Sequence, residues 1–296
     1  MRIQEILTDE LDGQIAAFFT QLDESALARC HIIVPMLNGK IPKYNIDRIE
    51  QRLVQAVRSW TDHLGDAVKK SHGEETSMAV VGRWAHSFGP NYRDRYTPSE
   101  VIFDIKTLEH IMVSNEIGMN LSRLDDAPLY KVRFKIYRKD GPIALSDVLP
   151  IFEHLGFKVI DETGPHRVNV GKTSMVIHNF GLETHDKSAA PLDAIRDNFH
   201  STFIKVWKDE IESDGFNTLV SRTGMAWREV MVLRVFCKYL LQTSITFSQE
   251  FMEQTMANSP RIAADLVNLF MKQFDPSSGT SGPAKAKRLK SKIIKG

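Results

Sequence analysis

The stretch YKVRFKIYRKDGPIALSDVLPIFEHLG, residues 130–156, decides the fold. Tyr130, Val132, Phe134 and Ile136 alternate with Lys131, Arg133, Lys135 and Tyr137. A period of two puts one set on a buried face and the other on the opposite face, so this is a half-buried strand. Asp140-Gly141-Pro142 follows as a turn, where glycine supplies unusual backbone angles and proline stops the ladder. Ser146 then predicts a helix cap, and Gly156 ends the helix after Leu155. Further on, Val159-Ile160 and 166–170 flank Gly164-Pro165, and 174–180 is another apolar strand. With a helix from about Pro191, the order predicts a ferredoxin-like βαββαβ unit over residues 128–190.

Outward from this unit the chain reads as mainly helical. Ile3, Ile6, Leu7, Leu11, Ile15, Phe18, Phe19 and Leu22 keep a 3–4 spacing, which predicts one amphipathic helix. Residues 29–35 read as a strand, and Asn38-Gly39 with Pro42 as a turn. A helix and one strand cannot close a sheet, so residues 1–40 read as the back half of a second small α+β unit. Residues 41–127 form a helical motif. Ile49, Leu53, Val57, Trp60, Leu64 and Val68 predict a helix broken at Gly73. A second helix covers 74–88, and a third starts with Thr97 as cap and Pro98 at its first position. Residues 191–274 form a helical domain with segments at 193–213 and 227–242, then helices opening at Ser248 and at Ser259-Pro260. Residues 275–296 predict a flexible basic linker carrying Lys285, Lys287, Arg288, Lys290, Lys292 and Lys295. The fold class is therefore α+β.

Composition narrows the function classes. The 296 residues carry 38 Lys+Arg against 37 Asp+Glu, a net charge of +1 that gives no global reason to expect nucleic acid or an anionic membrane as partner. Cys30 and Cys237 are too few for a disulfide framework or a cysteine-based zinc site, and they fit a reducing cytoplasm. No apolar run approaches the ~20 residues of a spanning helix, and the first residues lack the pattern of a signal peptide. The expected location is cytoplasmic.

Catalytic signatures are absent from the sequence. It contains no G-x-G-x-x-G after a strand, no Walker phosphate loop, no H-E-x-x-H and no G-x-S-x-G. The histidines lack close ligand spacing, so no catalytic, cofactor-binding or metal residue is assigned. His178, within a strand, is either a ligand or base, or a histidine satisfied by backbone. Asp161 and Glu162 are adjacent on a strand, point to opposite faces, and read as solvated charges. Trp60, Trp84, Trp207 and Trp227 read as core. The basic tail has no interleaved aromatics, which favours a solvated linker or a cut helix over a nucleic-acid contact. The candidate small-molecule site is the turn at Asp140 and Gly141 with the helix start at Ser146 and Asp147. Helix-start amides there would hold a carboxylate, and Asp140 or Asp147 an ammonium group. A plain structural turn is the competing reading.

Three blocks carry a family resemblance. The first joins residues 58–64, 88–93 and 105–109. The second joins 134–138, 145–150, 153–156 and 159–162. The third joins 214–217, 227–230, 233–234, 238–240 and 247–249. In unbroken order from the first residue to about Pro276, they resemble the large bacterial NAD-specific glutamate dehydrogenases. The resemblance implies ACT-type α+β modules, at 1–40 in part and at 128–190, separated by helical motifs and lying N-terminal to a catalytic domain. It also implies a chain that carries no catalytic residue of the family and is inactive by itself, with NAD as cofactor of the parent enzyme only. The expected function is a non-catalytic portion of an enzyme converting L-glutamate and NAD to 2-oxoglutarate, ammonia and NADH, serving subunit assembly and amino-acid sensing. The expected partners are a second copy, the catalytic portion or an amino-acid effector. A fragment, a split gene or a truncated reading frame would each explain the length. The alternative is a free-standing ACT-type regulatory or scaffold protein, which neighbouring coding sequence would discriminate.

Overall fold

The structure is a computed structural model that describes residues 2–22, 28–35, 42–139, 141–243, 245–274 and 282–295. The chain divides into two compact units, residues 1–85 with 97–102, and residues 86–96 with 103–296.

In the first unit, helix α1 (Arg2–Leu11) is followed by strands β1 (Ala17–Leu22) and β2 (Ala28–Ile33), an antiparallel pair in which Phe18 faces Ile32. The single helix expected through Leu22 is thus corrected: it stops at Leu11, and Phe18, Phe19 and Leu22 lie in a strand. Gly13 and the run Ala16-Ala17-Phe18-Phe19 hold no polar residue in register to continue an amphipathic face, and β-forming aromatics take over. Helices α2 (Ile46–Val57), α3 (Trp60–His72) and α4 (Glu74–Trp84) follow. The helix predicted to run unbroken to Gly73 is two helices. Ser59 interrupts it with a capping box, its side chain accepting from the Asp62 amide while Asp62 reaches back to the Ser59 amide.

The second unit contains the larger sheet. Helix α5 (Pro90–Arg95) precedes α6 (Pro98–Ser114), whose residues from Phe103 onward belong to this unit. Strand β3 (Gly118–Ser122), β4 (Lys131–Arg138), helix α7 (Leu145–His154), β5 (Phe157–Val170), β6 (Thr173–Thr184) and helix α8 (Leu192–Trp207) come next. The sheet is antiparallel in the order β3-β4-β6-β5. This corrects the βαββαβ order. The edge beside β4, which a strand after α8 would fill, is taken by β3 from the N-terminal side. Residues flanking Gly164-Pro165 form one strand, β5, with two irregularities in its pairing.

Phe134 and Ile136 of β4, Phe180 and Leu182 of β6, and Phe157 of β5 share one core with Phe152 of α7 and Phe199 and Phe203 of α8. That core continues into a helical region. There a short 3₁₀ turn (Gly215–Asn217) and α9 (Thr218–Thr223) lead to α10 (Trp227–Leu241), α11 (Gln249–Asn258) and α12 (Pro260–Phe274). Asp214 orders this region: its carboxylate takes two hydrogen bonds from buried Arg234, at 2.6 and 2.8 Å, and one from the Phe216 amide. Of the two readings of the basic stretch, a linker or a cut helix, the structure has a helix over Gly282–Lys295, α13. Ala286 is buried, which gives this helix an inward face that composition alone did not announce. Of the four tryptophans expected in the core, Trp84 is fully buried and the other three are half-buried.

Candidate functional site

The second unit brings two polar constellations to opposite faces of its sheet. On the face that packs α7 and α8, the turn before α7 is the predicted site. Asp140 lies outside the described residues. Gly141 adopts φ +95°, which explains the glycine, and the space where a Cβ would project is open. Ser146 and Asp147 are exposed, and the Ser146 hydroxyl donates to Asp147 Oδ1 at 3.0 Å. The cap predicted at Ser146 is corrected: the N-cap is Ala144, which offers no side-chain oxygen. The start of α7 therefore keeps the electropositive amide end of the helix without an internal anion beyond Asp147.

His178 sits under this turn. It is 1% exposed, its Nε2 accepts from the Ile143 amide at 3.0 Å, and its Nδ1 lies 2.6 Å from Glu162 Oε1. The reading as a histidine satisfied by backbone holds for one nitrogen, and a carboxylate holds the other. Glu162 and Asp161 do point to opposite faces, as the strand period requires. Asp161 is exposed, as expected, and pairs at the surface with Arg133, whereas Glu162 is largely covered and holds buried His178. Gly181 leaves the room for the Asp161–Arg133 pair; a Cβ there would lie 2.4 Å from Asp161 Oδ2.

On the other face, Asp104 of α6 is 1% exposed and accepts from Lys135 Nζ at 2.6 Å, from Tyr137 Oη at 2.5 Å and from the Tyr92 hydroxyl. Lys135 Nζ also lies 4.2 Å from the Tyr96 ring centroid. Burial, then the Asp104 charge, pushes both the Tyr92 and Tyr137 phenols well above their ordinary range. The phenols therefore stay protonated and act as donors. Such a set neutralises and satisfies a buried carboxylate. Sequence reading missed this cluster because Asp104, Tyr92 and Lys135 are far apart in the chain. The one signal was polar Lys135 within the run Phe134–Tyr137, all of which is buried.

A third feature is an apolar cavity of about 340 Å³ between α10, α11 and α12, lined among others by Phe216, Leu233, Cys237, Met252 and Phe270. Burial raises the Cys237 thiol above its ordinary range, so it behaves as a small apolar group. Among the described residues no group of His, Cys, Asp and Glu is placed to hold a metal ion. No helix of the described residues is long and apolar enough to cross a membrane.

Four family models match in succession. They are glutamate dehydrogenase ACT2 domain at residues 1–61, helical motif 2 at 67–111, ACT3 domain at 116–195 and helical motif 3 at 211–276. The ACT3 match contains the whole four-stranded sheet. The ACT2 match contains the β1–β2 hairpin. Among relatives, the NAD-specific glutamate dehydrogenase of Halomonas elongata is 34% identical over 94% of this chain. That of Pseudomonas aeruginosa is 29% identical over 93%, and that of Mycobacterium tuberculosis 25% identical over 93%. The chain spans 17–18% of the length of these relatives. With four models of one family in unbroken order and these relatives behind them, the chain belongs to the NAD-specific glutamate dehydrogenase family, of which it carries ACT-type and helical-motif segments.

Proposed function

We propose that this chain is a non-catalytic, N-terminal portion of an NAD-dependent glutamate dehydrogenase, and that it assembles subunits and senses an amino acid. The observation that carries the reading is the succession ACT2, helical motif 2, ACT3, helical motif 3 along the chain. In the whole enzyme the reaction is oxidation of L-glutamate by NAD to 2-oxoglutarate, ammonia and NADH. Assembly is supported by the hairpin, where Phe19 and Ile33 are more than half exposed. A two-stranded sheet is marginal in water, and exposed apolar surface favours association. Sensing is supported by the turn before α7. The amides of Leu145–His154's first turn suit a carboxylate, and Asp147 suits an α-ammonium group, the two charges of a zwitterion.

Light scattering and a spectrophotometric assay test the reading together. The purified chain is expected to self-associate, to lose that tendency when residues 1–40 are deleted, and to give no NADH from L-glutamate and NAD. Turnover above background, or a monomer at high concentration, would overturn it. Calorimetry with a panel of amino acids is expected to show saturable heat, and the absence of heat from any of them removes the sensing role.

A further inference from the structure

The segment that leads from β4 into α7 is tied to the sheet by the His178 side chain. An amide N–H only donates, so the His178 Nε2 that receives the Ile143 amide carries no proton. The imidazole proton is on Nδ1 and is donated to Glu162. Glu162 thus selects the tautomer that lets His178 accept. The imidazole lies parallel to the Phe180 ring, 3° between planes, and is held in the core. Pro142 has no N–H, so the Ile143 amide is the first backbone donor after Gly141. Ile143 is 5% exposed, so this amide finds water only if the segment moves. Gly141, at φ +95° and with open space around it, is where such a movement would turn. The helix-start amides follow directly.

We propose that Glu162, His178 and Ile143 form a latch that fixes the turn before α7 and thereby regulates amino-acid binding there, the second part resting on the sensing reading above. His178 is a positioning residue in this arrangement. Two substitutions separate its acceptor from its bulk. His178→Gln can place an amide oxygen near the Nε2 position, whereas His178→Asn is too short to reach Ile143.

The test is amide hydrogen exchange at Ile143 in the full chain, with calorimetry alongside. Loss of one buried hydrogen bond is expected to speed exchange at Ile143 roughly tenfold in the Asn variant and to leave it within about twofold in the Gln variant. Equal exchange in the two variants overturns the latch. If either fails to fold, Glu162→Ala replaces it, at a side chain 20% exposed. That variant is expected to speed exchange at Ile143 by freeing the tautomer, and unchanged exchange overturns the latch. In calorimetry, amino-acid binding is expected to weaken in the Asn variant and recover in the Gln variant. Equal binding in the wild type and the Asn variant overturns the regulatory part. No heat from the wild type, with the exchange pattern as expected, upholds the latch and removes the sensing reading alone.

Discussion

The two-stranded hairpin of β1 and β2 is built from strands richer in apolar residues than the four-stranded sheet of β3 to β6, yet it is the hairpin whose aromatic side chains stay exposed. Phe134, Ile136 and Phe180 are fully buried, while Phe18 is 43% and Phe19 60% exposed. Strand composition does not make this difference. The four-stranded sheet has α7 and α8 on one face and the Asp104 cluster on the other, so both faces of β4 are satisfied. Burying one large apolar side chain contributes about 1.5–3 kcal/mol, which the hairpin aromatics largely forgo. A strand pattern thus specifies a face, and what covers that face specifies the stability.

The largest expected effect lies in the covered sheet. Asp104→Ala leaves the Lys135 charge and two phenols without their acceptor. It is expected to destabilise the second unit by about 3–5 kcal/mol in urea unfolding. Adding Lys135→Met is expected to restore much of that loss, and a double variant as unstable as the single would show that the charge pair is not the cause.

Next comes pH. His200 of α8 packs against the Phe134 ring, 5.8 Å between centroids, and burial lowers it from 6.5 to about 4. Above pH 6.5 neither the folded nor the unfolded form is protonated, and the full stability is present. As pH falls from 6.5 toward 4 the unfolded chain takes up the proton and the folded one does not, so stability is lost. The loss approaches about 3 kcal/mol at its limit. His200→Leu is expected to flatten this part of the stability–pH profile. A pH dependence that survives His200→Leu would place its origin elsewhere.

A smaller effect is expected at the turn. If an amino acid binds there, Asp147→Ala weakens it by about 1–3 kcal/mol, the range for a charge-assisted contact, as calorimetry would read. The smallest belongs to the hairpin. Phe19→Ser is expected to change unfolding free energy by less than about 0.5 kcal/mol, since the side chain is already exposed, while lowering self-association in light scattering. A large loss of stability would mean that Phe19 is covered in solution.

Most of the larger sheet was legible in the chain. The alternation of 130–137, the turn residues 141–142 and the helix end at Gly156 all act locally, through period and backbone preference. Strand β3 was not, because five residues with apolar Met119 and Leu121 carry too short a period to stand out from a loop. The helix–strand switch after Leu11 was misread because Phe18 and Phe19 satisfy a 3–4 spacing and a strand equally well. The proposed turn was legible as a turn, and the cap at Ser146 was not absent by chance. Ala144 opens the helix one residue before Leu145, and the Ser146 hydroxyl is engaged by Asp147.

By itself the sequence determined the α+β class, the strand faces, the helix break at Gly73, and the family, because each rests on neighbours in the chain or on long colinear blocks. Tertiary structure alone decided that β3 fills the edge beside β4, that Asp104 meets Lys135, Tyr92 and Tyr137, and that His178 bridges Ile143 and Glu162. Those partners are separated by 12 to 35 residues. Only packing, which trades the cost of burying a polar group against a hydrogen bond to it, selects which distant groups meet.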